Sequence, residues 1–93
     1  MQIGDEIGAV ETLERLASIA IHDEPEGAAR LFGAATAQRE RLGAPLPSWQ
    51  RSNQDETAQL GRSVLGEARY EANARRGSEL SLEEAATSAV SAA

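Results

Sequence analysis

The sequence predicts an all-α fold of about five helices, set as antiparallel helical hairpins in a single domain over residues 1–93. Three observations carry this expectation. Apolar residues recur three and four positions apart through the longer segments. Glycine and proline fall mainly between those segments, where helices start and stop. Much of the apolar total is alanine, whose small size lets neighbouring helices approach closely, whereas aromatics make up only 3% of the chain.

The first helix is expected from about residue 6 to residue 21, with Asp5 as its N-cap. Ile7, Val10, Leu13, Leu16, Ala17, Ala20 and Ile21 keep the helical rhythm, and Ile3 and Ile19 widen the stripe beyond what one partner helix needs. The second helix, 25–42, is written at both ends. Pro25 suits its first turn, the acids Asp23, Glu24 and Glu26 complement its dipole, and Gly43 with Pro45 stops it. Ala28, Leu31, Phe32 and Ala35 form its seam, and Gly27 and Gly33 inside it make sense where another backbone comes close. Residues 38–41, Gln-Arg-Glu-Arg, read as a solvated face.

Gly43 to Pro47 is a stiff connector, with Leu46 tucked back under the helices. A third helix, 48–65, opens near Ser48 as its cap and stops at Gly66, with Trp49, Thr57, Leu60 and Val64 as its inward line and Asn53 as a polar interruption. The fourth, 67–76, offers Ala68, Tyr70, Ala72 and Ala74 for packing and ends on Arg75, Arg76 and Gly77. Ser81 and Glu84 form a capping box for the fifth helix, 82–91, whose packing face holds Leu82, Ala85, Ala86, Ala89 and Val90.

Composition narrows function. A net charge of −6, with every basic residue an arginine, argues against direct binding to nucleic acid or to an anionic membrane. No cysteine is present, so no disulfide and no thiolate metal site can form. No apolar run is long enough to span a bilayer and no signal-peptide pattern opens the chain, which makes the cytoplasm the default location.

No catalytic constellation emerges. The single histidine, His22, is best read as a cation at a helix C-terminus. Asp23, Glu24 and Glu26 could be drawn as a metal site, but acids at a helix start need no such role. Glu11 and Glu14 are explained as an exposed acidic edge, and Tyr70 lacks a partner base. No cofactor and no metal are therefore expected. Trp49 has two readings, an interface anchor or a side chain closing the corner after Pro47, the second being favoured.

The order of short motifs adds a resemblance. Residues 26–35, Glu-Gly-Ala-Ala-Arg-Leu-Phe-Gly-Ala-Ala, are followed by Arg39 and by Leu-Gly-Ala-Pro-Leu-Pro at 42–47. Leu-Gly-Glu-Ala-Arg-Tyr at 65–70 comes next, and Gly-Ser-Glu-Leu-Ser-Leu-Glu-Glu-Ala at 77–85 closes the series. From about Gly8 to Val90 the chain resembles the C-terminal end of large bacterial ATPase-type transcriptional regulators, of the LuxR type or the antibiotic-regulatory-protein type. The resemblance implies a tetratricopeptide-like end piece of an α-solenoid that binds protein partners or effectors, with nucleotide and DNA handled by other domains. The chain departs from the family pattern in the polar third helix around Asn53 and Gln54.

The expectation for function is a non-catalytic protein–protein interaction module capping a signalling or transcriptional regulator. Helical hairpins bury their outer faces only against neighbours. Ile3, Ile7, Val10 and Leu13 are thus expected to meet a second copy or upstream helical repeats, with Trp49 as a further contact. The alternative is a stand-alone helical homodimer enclosing an apolar pocket for a small ligand.

Overall fold

Helix α2, Pro25–Leu42, touches all four of the other helices. Its sequence explains this central place. Gly27, Ala28, Ala29, Leu31, Phe32, Gly33, Ala34 and Ala35 are all buried, so its first half is apolar or small nearly all round. A helix of that kind is stable only when enclosed. The computed structural model describes residues 3–92, with side chains described for residues 5–88. Around α2 lie α1 (Ile3–Ala20), α3 (Ser48–Leu65), α4 (Glu67–Ser78) and α5 (Leu82–Ala92). The fold is all-α, as the sequence predicts.

Residues 21–24 turn the chain from α1 into α2, and Asp23 N and Glu24 N both donate to Ala20 O, at 3.1 and 2.7 Å. The two helices run antiparallel and share the core of Val10, Leu13, Ala17, Ile21, Ala28, Leu31, Phe32, Ala34 and Ala35. Ala85 of α5 completes that cluster, with Leu80 and Leu82 packed beside it, so α5 folds back onto both α1 and α2. The α5 face expected to include Ala89 and Val90 lies outside the described side chains at those two positions.

The seam between α2 and α4 is a backbone contact. A Cβ on Gly33 would stand 2.7 Å from the carbonyl carbon of Ala74 and 2.9 Å from its Cα. The converse holds on α4, where a Cβ on Gly77 would stand 2.6 Å from the carbonyl carbon of Arg30 and 2.9 Å from its Cα. Glycine is required at both positions for the helices to lie so close. The seam's polar edge is fully paired. Arg30 Nη1 donates to Asn73 Oδ1 at 2.7 Å, Asn73 Nδ2 donates to Arg69 O at 2.9 Å, and Arg69 Nη2 donates to Glu26 Oε1 at 2.8 Å. The pairs 26–69, 30–73 and 33–74 advance together, so α2 and α4 run in the same sense.

Most helix ends follow their sequence signals. Gly43 adopts the left-handed conformation at φ 64° and its N–H reaches Glu40 O, which closes α2. Gly66 takes φ 87° between α3 and α4. Ser81 and Glu84 form the reciprocal capping box, Ser81 N donating to Glu84 Oε1 at 2.8 Å and Glu84 N to Ser81 Oγ at 3.0 Å.

Four local expectations are corrected. Asp5 is not an N-cap, because α1 already begins at Ile3. Pro47 rather than Ser48 occupies the N-cap position of α3, and no side-chain hydrogen bond caps it. Gly77 does not end α4; it is buried against α2 and the helix continues to Ser78. Ala68 and Ala72 face solvent, and the inward residues of α4 are Tyr70, Asn73 and Gly77.

Candidate interaction surface

The apolar stripe of α1 is largely consumed within the chain. Val10 is 0% exposed and Leu13 3%, both in the core against α2. They are therefore not a free face for a second copy or an upstream repeat, which corrects the expectation for those two residues. The hairpin partner covers them, since α2 presents Leu31, Phe32 and Ala35 to the same core. Ile7 is half-buried, and the side chain of Ile3 lies outside the described residues. Ile19, on the flank of α1, stays exposed.

The unpartnered apolar face lies instead on α3. Trp49 is 77% exposed, Val64 60% and Leu60 40%. At 100° per residue these three fall within one narrow sector of the helix, together with Asn53. The sequence places them inward together with Thr57, but of the four only Thr57 is turned toward the body, because the helix is rotated about its axis by roughly a quarter-turn. Gln50, Gln54, Thr57, Ala58 and Leu65 form the half-buried inner side, and Gly61 is its one fully buried residue. The cause is steric. A Cβ on Gly61 would lie 2.8 Å from both Ile21 Cδ1 and Tyr70 Cε2, so the glycine admits those two side chains. Trp49, being solvated, does not close the corner after Pro47.

Beside Gly61, the Arg62 guanidinium carbon sits 4.5 Å from the Tyr70 ring centroid. Arg62 Nη1 also reaches Glu67 Oε1 at 2.6 Å, and it pairs with Glu71. Burial pushes the Tyr70 hydroxyl pKa above its ordinary 10.0, with Arg62 opposing the shift and Glu71 reinforcing it.

A buried ion pair joins α1 to α2. Arg39 Nε donates to Glu14 Oε2 at 2.6 Å and Arg39 Nη2 to Glu14 Oε1 at 2.8 Å, while Nη1 donates to Ala44 O at 3.0 Å. The hydrogen bond to Glu14 raises the guanidinium pKa, against the desolvation that burial imposes. Residues 38–41 are thus not a uniform solvated face, since Gln38 and Arg39 are buried. Nor are Glu11 and Glu14 one exposed edge, since Glu14 is buried. The signal was present in the spacing. Arg39 continues the line Ala28, Phe32, Ala35, and Glu14 continues Val10, Leu13 toward Ala17 and Ile21.

Three clefts surround α3. One of about 350 Å³ lies toward α1, floored by Phe32 and walled by Glu11, Glu14, Trp49, Asn53 and Gln54. Another of about 410 Å³ lies toward α4, and a third of about 470 Å³ lies against the Gly43–Leu46 connector. Charged and carboxamide side chains take part in all three; the first two are mixed in polarity, whereas the exposed lining of the third, beside Ala44, Pro45 and Leu46, is mainly apolar. Among the described residues, no group of three or more His, Cys, Asp or Glu side chains could hold a metal ion. His22 is exposed, and Glu26 is engaged with Arg69. No helix among the described residues is long and apolar enough to cross a membrane.

Comparison with protein-family models, with curated proteins and with solved structures gives no match.

Proposed function

We propose that this chain is a non-catalytic helical protein–protein interaction module, a tetratricopeptide-like cap of a bacterial signalling or transcriptional regulator. The observation that carries the reading is the solvated face of α3, where Trp49, Leu60 and Val64 share one side of a helix that buries little apolar area on the other. Leu60 and Val64 adjoin at one end of that side and Trp49 stands about 16 Å away at the other, and adjoining exposed apolar side chains mark contact sites more often than isolated ones do. Trp is also enriched among residues that dominate binding energy. The regulator context rests on the motif order from Glu26 to Ala85, in which Gly33, Gly43, Gly66 and the Ser81–Glu84 box each have a defined structural task.

The contact is protein–protein through α3, and self-association is its simplest form. Light scattering over a concentration series tests it against a chain mass of 9.8 kDa. The expected mass climbs with concentration for the wild type. It stays at the monomer value for the double variant Trp49→Ser, Val64→Ser, whose circular dichroism is unchanged because both side chains are solvated. A wild-type mass that remains at 9.8 kDa up to millimolar concentration refutes self-association.

A further inference from the structure

The first three turns of α3 are held differently from the other helical segments among the described residues. No residue between 48 and 60 is buried. Their inward side chains are Gln50, Gln54, Thr57 and Ala58, which offer little apolar area to α2. Among the described residues, the side-chain hydrogen bonds of this segment stay local: Arg51 Nη2 donates to Leu46 O at 3.3 Å and Thr57 Oγ1 to Asn53 O at 3.0 Å. Gln54 borders all three clefts, so open space reaches the segment from several sides.

The last turn of α3 is anchored by contrast. Gly61 seats against Ile21 and Tyr70, and Arg62 lies over the Tyr70 ring and pairs with Glu67 and Glu71. The boundary between loose and anchored segments falls at Gly61, a residue that weakens a helix interior by about 1 kcal/mol relative to alanine.

We propose that residues 48–60 form a detachable arm, which opens from the body as a unit while Gly61 onward stays docked. Beneath it lie Phe32 and the Glu14–Arg39 pair, which line the clefts that the arm covers. Opening therefore uncovers an aromatic side chain and a paired charge that the closed form keeps largely, though not wholly, from water. Once lifted, the arm loses its helix, because an isolated polar segment of about three turns is too short to stay wound in water. Detachment and unwinding are one event, and hydrogen exchange reads it directly.

The experiment is amide hydrogen exchange on the full chain near neutral pH, read by peptide mass or by NMR. The expected protection of amides 52–60 is at least ~100-fold below that of amides 28–35 in α2 and 70–77 in α4, with a step upward after Gly61. Protection in 52–60 within ~10-fold of α4 overturns the proposal. A second variant separates an arm loosened by its polar inner side from general fraying. Gln54→Leu should raise protection across 52–60 by ~10-fold or more while leaving α4 unchanged, since it adds apolar contact where the clefts meet. Unchanged protection in that variant also overturns the proposal.

Discussion

Replacing Gly33 by alanine separates two effects that usually travel together. In an exposed helix interior the substitution stabilises by about 1 kcal/mol, because glycine is the poorer helix former. At Gly33 the new methyl carbon would stand 2.7 Å from the carbonyl carbon of Ala74, and closer still to its oxygen. Ordinary contact begins near 3.4 Å, so clearing the carbon alone requires α2 and α4 to part by about 0.7 Å at this point, and clearing the oxygen requires more. The obstruction is backbone, which cannot swing aside as a side chain would. A gap of that size forfeits roughly a quarter to a half of each dispersion contact along the seam. Overpacking of this kind costs about 3 kcal/mol at the upper end of its usual range, and the propensity gain offsets about 1 of it. The expected net loss is about 2 kcal/mol, or roughly 8–16 °C in Tm for a domain of this size. Gly8→Ala is the internal control, since Gly8 lies in α1 with nothing within 4 Å of its missing Cβ. It should stabilise by up to about 1 kcal/mol. Urea unfolding followed by circular dichroism measures both. A Gly33→Ala protein as stable as Gly8→Ala would refute the close backbone approach.

Two further outcomes follow from the polar contacts. Glu14→Gln leaves the buried Arg39 guanidinium with only the unbonded Glu11 carboxylate as counter-charge and should cost about 3 kcal/mol, whereas Glu14→Leu with Arg39→Met should come close to wild-type stability; urea midpoints for the single and double variants check this. The raised Tyr70 pKa means that its stabilising effect is complete below pH 10.0 and is lost as pH climbs through the folded value. Tyrosinate absorbance of the single tyrosine should therefore titrate above 10.0 in the folded chain and fall back on unfolding in urea.

Helix boundaries were legible because they are set locally. Pro25, Gly43, Gly66 and the Ser81–Glu84 box act through backbone geometry within a few residues, and the bounds of α2 and α3 match the expectation from sequence. The rotation of α3 was not legible. Its residues suggested an inward line through Trp49, Thr57, Leu60 and Val64, but the side that turns inward is the one on which Gly61 seats against Ile21 and Tyr70. Absence of a side chain carries no hydrophobic signal. The same reason hid Gly77, which resembles a helix stop in sequence and acts as a seat for the Arg30 backbone. Glu14 and Arg39 were missed because charge was read as exposure, although both continue apolar lines on their helices.

The glycines of the α2–α4 seam also bear on how a chain with few large side chains reaches one structure. Gly33 and Gly77 act as two notches, each receiving a stretch of the facing main chain. Sliding α4 along α2 by one residue would turn it by about 100° and bring a side chain to where a notch had been. Axial position and rotation are thereby specified together, by exclusion rather than by attraction. Alanine-rich helices commonly slip among near-equivalent alignments, since their surfaces are smooth. Here the joint is keyed, so a single arrangement of α2 and α4 is selected even though little energy is gained at any one contact.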